Sequence, residues 1–376
     1  MSNLTVKKGA TFSRDPAQAV KEISAAIDQP DACVAILFVS STFDLTAIEL
    51  ALDGVFSCPV IGCTTSGEIT SAAGYREGGI VGVSLASPDL VAHPKLIKNL
   101  ANFSHAEGEA LAKEVRSELK LTKDFNTAKM FSFLMVDGLS MLEEQVVATL
   151  ETCMKGVTLV GGSAGDDLGF KQTHVYFDGK FHRDAAVLTV FETNLPFRSF
   201  HIQHFSPTDI RLVITESDCA TRTVTEINGG PAAEEYARAV GLEITELNPQ
   251  IFAAHPVMLK IGGEYYVRSI QKVNPDGSLT FFCAIDNGLV LTVGKGDELA
   301  RNLDESFAHL KEEMPSLKFI LGCDCILRRL ELKQKDQFED AAKVLGNVDF
   351  VGFSTYGEQF NGIHVNQTLT GIALGE

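Results

Sequence analysis

No two cysteines in this chain stand in a CxxC pair, and the one close couple, Cys323-Asp324-Cys325, has the wrong spacing for a zinc knuckle. No long basic run occurs either. Arg328-Arg329 is a local pair in a chain of formal net charge -17 and pI near 5.0. Such a surface repels phosphate backbones and anionic lipid, which argues against nucleic-acid and membrane partners. Long apolar runs are missing too: the stretch from Ala32 to Val39 is broken by Ser40-Ser41 and is too short to cross a bilayer. The opening MSNLTVKKGATFSRDP has basic residues but no apolar stretch behind them, so it lacks the pattern of a signal peptide. These absences set the expectation of a cytoplasmic protein. No glycine-rich stretch reads as a P-loop, since no GK[ST] follows one, and none is a dinucleotide GxGxxG.

What is present is ordinary globular composition, 45% hydrophobic and 22% charged over 376 residues. That length suits two domains with a large core and needs no disulfide or metal staple. Most of the eight cysteines lie in apolar, strand-like runs such as ACVAILFV and FFCAI, where a reduced thiol acts as a small hydrophobe.

One segment pattern recurs: an apolar strand, a helix, a second strand running into a glycine-rich turn, and a closing strand. The first copy reads ACVAILFVSSTFDLTAIELAL, CPVIGCTTSGEI, GGIVGVSLAS; the second AKMFSFLMVDGLSMLEEQVVATL, VTLVGGSAGDDLGF, AAVLTVFE; the last LKFILGCDCILRRL, FEDAAKVL, VDFVGFSTYGEQF, LTGIAL. Charged amphipathic helices are expected over 106–119 and 297–313. Residues 200–285 read as a less regular copy. There, RLVITESD pairs with CATRTVTEING, a helix covers PAAEEYARAVGL, and YYVRSIQKV and GSLTFFCAI flank an Asn274-Pro275-Asp276-Gly277 turn. The expected fold class is α/β, with mixed sheets flanked by helices and built from strand-helix-strand-strand modules in two halves. The division is placed between residues 217 and 228, giving domains 1–222 and 223–376.

The glycine turns align as Gly62-Cys-Thr-Thr-Ser-Gly67-Glu68, Gly161-Gly-Ser-Ala-Gly165-Asp166 and Gly352-Phe-Ser-Thr-Tyr-Gly357-Glu358. A turn of this kind after an apolar strand offers N–H groups and hydroxyls where open α/β sheets bind ligands. The alternative is that glycine merely supplies positive φ for a tight turn. Ser163 in GGSAG has the outline of a hydrolase elbow, but the other two copies lack an equivalent serine frame and no feature places a base beside it.

At these turns the chain resembles the FIST family of sensory proteins over nearly its whole length. VIGCTTSGEI, LVGGSAGDD and VYFDGKFHRDAAVLTVF are similar to the family's N-terminal half; EINGGPAAEEYARAVG and GFSTYGEQFNGIHVNQT are similar to its C-terminal half. The resemblance implies a non-catalytic sensor of a small ligand, and within the family the chain resembles the NosP subgroup. That subgroup implies non-covalent haem b, because no CxxCH is present, with nitric oxide as the signal. It also implies a histidine kinase or cyclic-di-GMP enzyme acting in trans, since no kinase or receiver pattern follows in the sequence, with a homodimer as one arrangement. An amino acid or other small metabolite is the alternative ligand, and a hydrolase is the further one.

A haem sensor needs an axial ligand, commonly histidine. Of the nine histidines, His93, His105, His174, His182 and His309 fall in loops, hairpin flanks or charged helices. His204 beside Phe205, His255 beside Phe252 and His364 after the third glycine turn are the alternative iron ligands, with Phe353 and Tyr356 as apolar cover. His201 and His204 alternate on a strand, which disfavours a bis-histidine pair. Arg268, Arg328 and Arg329 are the propionate candidates, and Cys323 or Cys325 is a lesser thiolate option.

Overall fold

The computed structural model describes residues 4–121 and 124–376; the first three residues of the amino-terminal stretch lie outside them. Two compact units emerge. One comprises residues 1–202, 303–364 and 369–376, and the other residues 203–302 with 365–368.

The larger unit contains all three modules. In the first, strand Ala32–Ser40 is buried over its last seven residues, as expected of a continuous apolar run covered on both faces. Asp44 then accepts from the amides of Thr46 and Ala47 and caps helix Leu45–Leu52. Strand Val60–Thr65 returns parallel to Ala32–Ser40, and Ile80–Ala86 closes the module antiparallel to it. Met130–Val136, helix Glu143–Cys153, Thr158–Ser163 and Ala185–Thr193 repeat this arrangement. So do Leu317–Cys325, two helices (Ile326–Gln334 and Phe338–Gly346), Phe350–Thr355 and Leu369–Gly375.

Each module builds a six-stranded sheet whose last two strands come from another module. The hairpin after the first glycine turn, Glu68–Thr70 with Gly74–Arg76, adds to Phe350–Thr355 of the third module. The hairpin of the second, Val175–Phe177 with Lys180–His182, adds to Val60–Thr65 of the first. Strand Glu358–Phe360 of the third adds to Thr158–Ser163 of the second. The exchange is cyclic, and every glycine turn marks the point where the chain crosses from one sheet to the next. Inner faces of all three sheets meet in one core that includes Phe38, Phe133, Phe319 and Phe353.

The smaller unit differs from the expected irregular copy. Its strand pairings are all antiparallel among the described residues, centred on the long strand Phe205–Asp218, which pairs with Val290–Gly296 and Thr223–Ile227. Helix Ala232–Val240 ends on Gly241 at φ +75°, a left-handed cap that glycine adopts without strain. The run YYVRSIQKV does not form one strand: Glu264–Arg268 pairs with Val257–Ile261, and Ile270–Val273 pairs with Leu279–Phe281. Ser269 breaks it, its amide and hydroxyl donating to the side chains of Asn366 and Gln367.

A cut at 222/223 divides the chain, but the compact units are cut after residue 202 and again near 303. The reason is the strand exchange, which binds the C-terminal module to the first two. Among the described residues no helix is long and apolar enough to cross a membrane.

Candidate functional site

The three glycine turns bond to one another. Ser66 N–H donates to the Ser354 carbonyl at 2.9 Å, and Ser354 N–H returns to the Gly67 carbonyl at 2.7 Å. Ser163 N–H donates to Gly357 at 2.8 Å, Tyr356 N–H to Ser163 at 3.2 Å, and Gly165 N–H to Thr64 at 3.0 Å. Thr64, Ser66, Ser163, Ser354 and Thr355 are all fully buried. These turn amides, expected to face a ligand, are therefore spent on closing the fold.

The glycines are required by close approach. Gly62, Gly161 and Gly352 sit opposite Leu37, Leu134 and Gly322 in the parallel pairs, and a Cβ on any of them would fall 2.2–2.3 Å from that partner's carbonyl oxygen. Positive φ is needed at Gly67, at +133°, but not at these three.

The acids that follow the turns are equally committed. Glu68 accepts from the Thr65 hydroxyl at 2.6 Å and the Gly79 amide at 3.1 Å, and Thr355 repeats the first contact with Glu358. Burial pushes the Glu68 carboxyl up to about 7, the Thr65 and Gly79 bonds opposing. Asp166 accepts from the amides of Phe170, Lys171 and Gln172 at 2.8–2.9 Å and from the Tyr356 hydroxyl. Ser163 Oγ accepts from the Gln359 amide at 2.9 Å, and the same nitrogen lies 3.3 Å from His364 Nδ1. This closed network gives Ser163 no access to substrate, so the elbow reading has no geometric support.

The residues proposed for haem are divided between the units. In the larger one, Arg328 is wholly buried with its Nε 2.6 Å from Asp324, whose other oxygen accepts from Tyr75 at 2.5 Å. Arg329 holds the Ser66 carbonyl and pairs with Glu77. Phe353 stacks on Phe38 at 4.5 Å in the core, and Tyr356 stacks on Phe170 at 4.7 Å. His364 is 1% exposed. In the smaller unit, His204 is 1% exposed and packs on Phe205, Arg268 is buried, and half-buried His255 ends helix Pro249–Ala254 with its carbonyl accepting from Tyr236. A haem needs an axial ligand facing an apolar slot, with cations free for its propionates. Apart from half-buried His255, these side chains are packed in core or tied to neighbours, so the set does not fit that group as it stands. Cys323 and Cys325 are likewise buried, and desolvation pushes the Cys323 thiol up.

An open cleft of about 690 Å³ lies elsewhere in the larger unit, between helix Leu45–Leu52 with its following turn and the Tyr176–Lys180 hairpin. Tyr176 and Phe56 supply apolar surface, while Glu49, Asp53, Asp178 and Lys180 supply charge. Glu49 also accepts from the Phe181 amide at 2.6 Å, fixing helix to hairpin. Burial, then the nearby Glu49, Asp53 and Asp178 carboxylates, push the Tyr176 phenol up to about 12. The cleft thus combines an acidic rim with an aromatic wall. A sequence signal for it existed: Glu49, on the helix, and Asp53, the residue just past its end, are like charges four apart, an arrangement with no local benefit.

Comparison with known families divides the chain inside the smaller compact unit. Residues 33–230 match the FIST N domain and residues 232–361 the FIST C domain. An uncharacterized protein of Methanocaldococcus jannaschii is 22% identical over 384 aligned positions, covering 90% of this chain and 72% of the relative.

Proposed function

The chain belongs to the FIST family, carrying its N and C domains in succession, and from that premise we propose that it senses a small amine-bearing metabolite such as an amino acid. The observation that carries this reading is the cleft bounded by Glu49, Asp53 and Asp178. Carboxylates at the rim attract an ammonium group, Lys180 offers a partner for a carboxylate, and Tyr176 and Phe56 cover the apolar part. Such a ligand would bridge helix and hairpin, and the hairpin belongs to a different module from the helix. Occupancy therefore biases how the modules hold together. The output passes to a partner in trans, a histidine kinase or cyclic-di-GMP enzyme, that reads this bias. The protein binds its ligand without converting it.

The test is a thermal-shift and calorimetric screen of the full chain against amino acids and small amines, with haem titrated in parallel. A saturable amine ligand whose affinity falls at least tenfold in Glu49→Gln/Asp53→Asn supports the cleft. Undiminished binding in that double variant removes it. Stoichiometric haem binding with a Soret band that shifts on nitric oxide would replace the metabolite by haem.

A further inference from the structure

Outside the cleft and the turns, one cluster brings three metal-ligating side chains together: His105 and Glu109, one turn apart on helix His105–Glu118, and Cys153 at the end of helix Glu143–Cys153. One donor atom from each lies within 4.8 Å of the other two. We propose that these residues form a site for a thiophilic divalent cation, of which Zn²⁺ is the type, clamping the two helices together and leaving a fourth position open to water.

The geometry suits such an ion. Zn–S near 2.3 Å and Zn–N near 2.0–2.1 Å put sulfur and nitrogen about 3.6 Å apart around a tetrahedral centre. Cys153 Sγ lies 3.5 Å from His105 Nδ1. Glu109 Oε1 lies 4.0 Å from the ring's other nitrogen, Nε2, and because an imidazole gives an ion one nitrogen, a rotamer change of the exposed Glu109 or His105 side chain brings carboxylate and sulfur to the same side of the ring. The other Glu109 oxygen, Oε2, faces Arg116 at 3.9 Å, which leaves Oε1 for the ion.

The helix pair is shaped for the thiol. Gly108 sits between the two ligands of its helix, where a glycine costs about 1 kcal/mol of helix stability. A Cβ there would lie 2.8 Å from Cys153 Sγ, so glycine is what admits the sulfur to the helix surface. The sulfur itself is buried while the imidazole and carboxylate face solvent, giving an ion entry from one side.

The experiment titrates the full chain with Zn²⁺, and with Co²⁺ as the optical probe. The expected result is one ion per chain, with a thiolate-to-cobalt charge-transfer band that is absent in Cys153→Ser. His105→Asn, at an exposed position, should weaken Zn²⁺ at least tenfold with the melting curve of the metal-free protein unchanged. Cys219 is the exposed thiol and serves as the control. Absence of the band would overturn the proposal, as would a band lost in Cys219→Ser but kept in Cys153→Ser, or Zn²⁺ affinity unchanged in His105→Asn.

Discussion

Replacing Arg328 by leucine should destabilise the larger unit severely. The guanidinium and the Asp324 carboxylate are both wholly buried, 2.6 Å apart, and Tyr75 donates to the second Asp324 oxygen. Removing Arg328 strands the carboxylate in the interior with one neutral donor, and breaking a buried pair in this way costs about 3–5 kcal/mol. For a unit of this size that corresponds to a fall in Tm of about 6–20 °C, at about 2–4 °C per kcal/mol. The combined variant Tyr75→Phe/Asp324→Leu/Arg328→Met, which replaces all three of these side chains, should recover most of the loss, because an apolar replacement does not strand the Asp324 charge. Urea unfolding followed by circular dichroism measures both. A cost for Arg328→Leu below about 1 kcal/mol, the range of an exposed pair, would refute the reasoning and return Arg328 to the list of anion-binding side chains.

Glu68 should make stability depend on pH in a defined direction. Its folded pKa, about 7, lies above the ordinary 4.5, so its contribution is fully present below about 4.5 and is lost as pH rises through about 7. Unfolding free energies across that window should decline for the native chain and decline less for Glu68→Gln; equal slopes would show that another group is responsible. Gly62→Ala should cost about 1–3 kcal/mol or more through the clash with the Leu37 carbonyl. Gly179→Ala, at φ +78° with open space around it, should cost only about 1 kcal/mol, and chemical denaturation ranks the two.

Much of the larger unit was legible in the sequence because its signals are local. A buried strand such as Ala32–Ser40 is an unbroken apolar run, Asp44 announces the helix after it, and the glycine turn follows the next strand in the same order each time. The recurrence of that order predicts the modules whatever they pack against. Family membership was legible for the same reason, since the quoted motifs are contiguous. The finer expectation of a haem site rested on residue types alone. Arg328 read as an available cation and Tyr356 as apolar cover until the fold set Asp324 and Asp166 against them.

Tertiary structure alone decided where the hairpins go. A short strand such as Glu68–Thr70 has the same alternation whether it adds to its own sheet or to Phe350–Thr355, and nothing within it names its partner. The choice is made by the shared core, which can close only when each sheet is extended by a neighbour's strands. The same closure turns the glycine loops inward and spends their amides on one another. It also brings Tyr176 of the second module over Glu49 of the first, making a cleft from residues that no local pattern links. Local periodicity fixes the elements because it depends on neighbours in the chain; the exchange depends on burial among segments far apart in it, and burial is a property of the whole unit.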